Sequence, residues 1–264
     1  MDALEALVLG IIQGITEWLP VSSSGHLVIS EELLGLKAGE NLVFDLVVHL
    51  GTLLAVIIYF RRELWRVISS FLIRGVAKGS TEYELRMLGA LLLLATVPAG
   101  IAGVLFKDEI EGVFDLRYVG AALVANALML FSFERFGSKG SKKKAGPIDA
   151  LVIGVFQAIA IIPGISRSGS TIGGGMLRGL DRETAAVFAF LLSVPTLAAA
   201  FAYGFATLEK YDAALDTSLI GFFAAMLVGL VSIRYLLKAV RSGKLWVFAI
   251  YCAIVGVAVL AFTL

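Results

Sequence analysis

The chain has 264 residues, 59% of them hydrophobic, and a mean hydropathy of +0.91, which excludes an ordinary soluble domain. A net charge of +1 gives no sign of a nucleic-acid partner, and none is expected. Cys252 is the only cysteine, so an intramolecular disulfide and a thiolate metal cluster are both ruled out.

The first apolar stretch, Ala6 to Ile15, is too short to cross a bilayer and runs into Pro, Ser and Gly, so it reads as a re-entrant arm. Asp2 and Glu5 precede it without any Lys or Arg, unlike a secretory signal, and the N-terminus is expected to be retained. Three spans follow, at about 42–60, 84–106 and 117–136. A second short stretch, Ile148 to Ile162, ends in the same kind of polar punctuation, and three more spans follow at about 183–205, 217–238 and 245–263. The fold class expected is an all-α polytopic membrane protein, with six transmembrane helices plus two re-entrant helical hairpins.

Of the 22 Lys and Arg, 17 fall at one set of segment ends, against Lys37, Lys107, Arg117 and Lys210 at the other. The positive-inside rule makes the first set cytoplasmic and turns the acidic segments "KDEIEGVFD" and "LEKYDAALD" outward. The run "RFGSKGSKKK" then serves as a cytoplasmic topology determinant.

At an offset of 144 residues, "ALVLGIIQGI" aligns with "ALVIGVFQAI" and "VSSSG" with "ISRSG". The single membrane domain, 1–264, therefore divides into repeats at 1–136 and 145–264, each a hairpin plus three spans. Three spans per repeat is an odd number, so the second repeat enters from the opposite side. Inverted-topology repeats of this kind bind their ligands near the bilayer midplane.

The two polar tips carry the chemistry. Gln13 and Glu17 share one helix face, and a carboxylate at membrane depth is functional by default. Ser22, Ser23, Ser24, Gly25 and His26 follow closely. The second tip has Ser166, Arg167, Ser168, Gly169, Ser170 and Thr171, then three glycines. An Arg fork with glycine-rich amides at a helix start suits phosphate oxygens, so a phosphate or polyphosphate ligand is implied.

The segments "QGITEWLPVSSSGH" (13–26) and "PGISRSGST" (163–171) resemble the two signature motifs of the undecaprenyl-diphosphatase, or bacitracin-resistance protein, family. The resemblance covers essentially the whole chain. It implies an integral-membrane phosphatase that converts a C55 isoprenoid diphosphate, undecaprenyl diphosphate, to the monophosphate, recycling the lipid carrier of cell-wall polymers and conferring bacitracin resistance. It also implies a divalent cation, Mg or Ca, at Glu17, and a bacterial cytoplasmic (inner) membrane location with the site open to the outer, periplasmic side. Carried over, Glu17, Ser23, His26, Ser166, Arg167 and Thr171 take the family's catalytic places. The family's first motif has an acid or amide four residues before an acid, and here the amide form, Gln13, is present. Gln13, Ser22, Ser24, Gly25, Ser168, Gly169 and Ser170 are expected to bind substrate beside Ser166 and Thr171.

The residues leave the nucleophile open between Ser23, His26 and a water activated by Glu17. Asp45 and His49, one turn apart, form an accessory proton or metal pair or a hydrated rim. Pro98 and Pro195 lie inside spans and either shape a lipid groove or mark a packing irregularity. The rival function is an inverted-repeat transporter or flippase of a polyprenyl phosphate, since that architecture is common among carriers. The expected partners are the polyprenyl diphosphate lipid and the membrane, with a homodimer left open.

Overall fold

The computed structural model describes residues 1–36, 42–106, 115–137, 139–207 and 215–263. Lys37, Lys107 and Lys210, and most of the two acidic segments expected to face outward, lie outside the described residues.

Helix α1 (Ala3–Thr16) begins in a capping box: Asp2 accepts from the N–H groups of Leu4 and Glu5, and Glu5 accepts from Asp2. Its 14 residues reach about 21 Å, well short of a hydrocarbon core. After a turn the chain reverses into α2 (Ser23–Leu33), giving a helical hairpin. The second hairpin pairs α7 (Pro147–Ile159) with α8 (Arg167–Leu177), Pro147 opening α7 where its missing N–H costs nothing.

Between the hairpins run α3 (Leu42–Tyr59), α4 (Arg61–Ser70), α5 (Thr81–Leu105) and α6 (Leu116–Gly137). After them come α9 (Arg182–Thr207), α10 (Leu215–Arg241) and α11 (Leu245–Thr263). Among the described residues, five helices are long and apolar enough to cross a membrane, and the pair α3 and α4, bent by 78°, makes a sixth if taken as one span. The first span, expected at about 42–60, ends there, at a bend at Phe60. Arg61, Arg62 and Glu63 cannot continue into hydrocarbon, and α4 instead exposes Trp65 and Ile68 while burying Val67, the pattern of an interfacial helix.

The halves interlock. Arm α1 packs on α10, and its counterpart α7 packs on α5, so each arm lies against the second long helix of the other half. Glycine sets both contacts. A Cβ on Gly10 would sit 2.5 Å from the carbonyl oxygen of Gly221, and one on Gly154, 144 residues later, 2.6 Å from that of Ala95.

Pro98 packs against Gly154 of α7, whose missing side chain leaves room for it. Gln157 of α7 donates to the Ala95 carbonyl at 3.2 Å and accepts from the Thr196 hydroxyl at 3.2 Å, meeting the polar groups beside both prolines.

Candidate active site

The two tips meet. Ser22 caps α2 with φ 70°, a left-handed conformation costing about 1–3 kcal/mol in a residue with a side chain. Its hydroxyl accepts the N–H of Gly25 at 3.3 Å and that of Gly164 at 3.0 Å, tying the first tip to the second. The Ser168 hydroxyl donates to the Leu19 carbonyl at 3.1 Å. Asn126, from α6, donates to the Pro20 carbonyl at 3.2 Å and accepts the Ser166 N–H at 3.0 Å, so one side chain binds both turns. Ser166 caps α8 through the Gly169 N–H.

This scaffold brings Glu17 and Arg167 together. The side chain of Glu17 is only 4% exposed, and its Oε1 accepts from Arg167 Nη2. Its Oε2 accepts from the Ser23 hydroxyl at 2.6 Å and from Gln13 Nε2 at 3.0 Å. Such charge-assisted bonds hold a carboxylate that would otherwise be costly to bury. Arg167 also lies 6.0 Å over the Trp18 ring, and its Nη1 is buried without an acceptor. A small cavity abuts it, lined by Trp18, Ser168, Ile172, Ala189, Phe190 and Ser193.

The imidazoles are arranged differently from the expectation. His26 Nδ1 faces the Ser22 carbonyl at 2.8 Å, and a carbonyl only accepts, so Nδ1 carries the proton. Nε2 then accepts from the Tyr251 hydroxyl at 2.8 Å, and the two rings stack at 5.6 Å. The imidazole beside the carboxylate is that of His49, whose Nε2 lies 3.7 Å from Glu17 Oε2. His49 and Asp45 are joined through the Asp45 carbonyl, which accepts from Nδ1 at 2.7 Å, rather than through the carboxylate.

Thus Gln13, Glu17, Ser23 and Arg167 converge. Ser22, Gly25, Ser166, Ser168 and Gly169 build the contact between tips, with Ser24 beside Ser22 at 3.3 Å. Thr171 donates back to the Arg167 and Ser168 carbonyls of its own helix, and the buried Ser170 hydroxyl has no partner among the described residues. Trp18, Asn126 and Tyr251 join the site from the structure: Trp18 lies within the first tip segment, 13–26, whereas Asn126 and Tyr251 sit on spans whose pattern marks only burial.

The family model described as "Bacitracin resistance protein BacA" matches residues 6–258. The chain belongs to this family. Among its relatives, an "Undecaprenyl-diphosphatase" of Bacteroides fragilis is 41% identical, the match covering 97% of each chain. Proteins of the same name from Korarchaeum cryptofilum and Carboxydothermus hydrogenoformans are each 40% identical, over 99% of both chains and over 98% of this chain and 97% of the relative. In this BacA family chain a wider cavity lies away from the tips, between the starts of α5 and α9, where Arg66, Lys143 and Lys144 alternate with Glu84, Asp181 and Glu183. It carries both signs of charge, and its Asp181 carboxylate is held by the Thr184 side chain and the Lys143 ammonium.

Proposed function

We propose that this chain hydrolyses undecaprenyl diphosphate to undecaprenyl phosphate and inorganic phosphate, with Ser23 as nucleophile. The observation that carries the reading is the 2.6 Å hydrogen bond from the Ser23 hydroxyl to Glu17, beside the only arginine of either tip. The relatives bear the name of that activity over nearly their full length.

Ser23 Oγ attacks the terminal phosphorus while its proton passes to Glu17, and the bridging P–O bond breaks to release the lipid monophosphate. Water then attacks the phosphorus held on Ser23, the P–Oγ bond breaks as Glu17 returns its proton to Oγ, and the water's protons leave with inorganic phosphate, so that serine and carboxylate are both restored. Arg167, whose Nη1 has no protein acceptor, binds the equatorial oxygens where charge gathers. His26, held by Ser22 and Tyr251, borders the same tip.

The donor set fits a divalent cation. Gln13 Oε1 is a buried acceptor without a partner, on the side chain next to Glu17. Among the described residues no three His, Cys, Asp or Glu cluster, so Gln13 and Glu17 would hold Mg or Ca with oxygens of the substrate completing its shell. When bound, the ion offsets the charge of the diphosphate.

The excess of Lys and Arg at the opposite ends supports an inner-membrane enzyme whose halves run antiparallel and whose site opens outward. Carrier recycling and bacitracin resistance would follow from that activity. The cavity between α5 and α9 favours the second reading, passage of a polyprenyl phosphate to the Lys-rich face.

The test is phosphate release from a long-chain polyprenyl diphosphate by purified protein in detergent, with Glu17→Gln and Arg167→Ala alongside. Release by the parent and its loss in both variants is expected. Equal release by parent and variants would overturn the site, and no release by the parent with any divalent ion would favour the carrier.

A further inference from the structure

We propose that the wide cavity between the starts of α5 and α9 is a binding site for an anionic glycerophospholipid, its phosphodiester at Arg66 and the first carbons of its chains along Leu88, Leu91, Phe188 and Leu191. The site is separate from the tips and independent of the reaction assigned to them.

Helices α5 and α9 meet at Thr96 and Thr196, whose hydroxyls lie 3.4 Å apart, and a space of about 710 Å³ opens between their first turns. Each helix turns one stripe toward it: Glu84, Leu88 and Leu91 on α5, and Thr184, Phe188 and Leu191 on α9. Steps of three and four residues keep each stripe on a single face. Both stripes pass from polar to apolar within about 10 Å of helix. The polar layer of a bilayer leaflet is about 5–8 Å deep, so the cavity follows the same gradient as a lipid.

The charges at its mouth select the headgroup. Asp181 faces Lys143, Glu84 faces Lys144, and Glu183 accepts from Arg241 at 2.6 Å. Arg66 also lines the cavity, is exposed, and has no acidic partner among the described residues. One cation is therefore left over, and no carboxylate is free for the ammonium of a zwitterionic headgroup. A phosphodiester carries a single negative charge and matches that surplus. A phosphate monoester, such as the polyprenyl phosphate of the carrier reading, carries about 1.5 to 2 charges at neutral pH and exceeds it.

Arg66 is set in place by α4. Arg86 of α5 donates through Nε to the Ser70 carbonyl at 2.7 Å and through Nη2 to that of Ile73, holding the end of α4 against α5. The exposed Trp65 and Ile68 put this helix at the level where headgroups meet acyl chains. Basic clefts between membrane helices at such a level bind anionic headgroups. Helix α9 turns Phe190 and Ser193 toward the small cavity beside Arg167, and the two cavities share no lining residue.

The test is native mass spectrometry of the purified protein in detergent, titrated with phosphatidylglycerol, with phosphatidylcholine, phosphatidylethanolamine and undecaprenyl phosphate as competitors. One tightly held phosphatidylglycerol per chain is expected, displaced by none of the three at equal concentration. Arg66→Gln should weaken it by about tenfold, the loss of one charge-assisted bond. Leu88→Trp, which fills the apolar floor, should weaken it as well. Arg234→Gln, which removes an exposed arginine of α10 outside the cavity, should leave it unchanged. Unfolding temperatures without lipid check that each variant is folded. Equal binding of phosphatidylcholine or phosphatidylethanolamine, full binding by Arg66→Gln, or equal weakening in Arg234→Gln would overturn the proposal. Displacement by undecaprenyl phosphate that disappears in Arg66→Gln would also overturn it, and would give the cavity to the carrier reading. Phosphate release by Arg66→Gln in detergent should match the parent, so lipid binding without hydrolysis removes the phosphatase and leaves this site standing.

Discussion

The Ser22 hydroxyl accepts the N–H of Gly164 at 3.0 Å across 142 residues of sequence. It ties the first tip to the backbone of the second, through a serine with φ 70° and a glycine with φ 100°. A Cβ at position 164 would lie 2.6 Å from the Ala122 Cβ and 2.8 Å from the Val119 carbonyl. Gly164→Ala should therefore lower stability by about 2 kcal/mol or more and remove phosphate release, measured by thermal unfolding in detergent and by the release assay.

Glu17→Gln leaves Arg167 buried without its counter-charge, a change costing about 3–5 kcal/mol when a buried pair is broken. The double variant Glu17→Gln, Arg167→Gln should regain much of that stability and none of the activity. A double variant as unstable as the sum of the singles would show that the pair does not couple.

Tyr251→Phe removes the donor to His26 Nε2 and keeps the stacked ring. Loss of one such bond is about 1–1.5 kcal/mol, so kcat/KM should fall about tenfold with little change in unfolding temperature. An unchanged kcat/KM would detach His26 from the reaction.

Asn126→Ala strips partners from the Pro20 carbonyl and the Ser166 N–H together. The Ser166 N–H is left unmet and the Pro20 carbonyl keeps only the Cys252 thiol at 3.7 Å, which should cost about 1–3 kcal/mol, read by thermal unfolding, even though Asn126 touches no reacting group.

Asp181 caps α9 through the Thr184 N–H at 2.7 Å and lies against Lys143. Burial pushes its carboxyl up, but the Lys143 ammonium and the Thr184 N–H outweigh it and hold the group below the ordinary 3.8. Its contribution is thus complete above the unfolded value and fades as pH falls through the lower folded one. Parent protein should lose part of its stability on acidification to that range, and Asp181→Asn should show a shallower loss.

Much of this was legible in the chain itself. The 144-residue offset pairs Gly10 with Gly154 and Ser22 with Ser166, and each pair plays the same part in the structure: close contact with the other half's helix, and the cap that starts the return helix. Apolar length marked the two short arms, because backbone needs about 20 residues to cross hydrocarbon. Hydropathy puts the end of the first span at residue 60 but not the turn into α4, because it records where an apolar run stops and not the direction taken next. His26 was read beside Glu17 from proximity in sequence, yet the start of α2 turns its ring toward Tyr251, and the ring that reaches Glu17 arrives from α3. Asn126 left no trace, since its partners lie 106 and 40 residues away.

The exchange of arms between halves also sets an order of events during synthesis. Helix α1 leaves the ribosome first, yet the surface it needs, on α10, is among the last made. Until then Gln13 and Glu17 have no finished wall behind them, and Glu17 lacks Arg167 for about 150 residues of translation. The candidate pocket is consequently assembled at the end, and a chain truncated before α10 lacks the helix on which α1 packs.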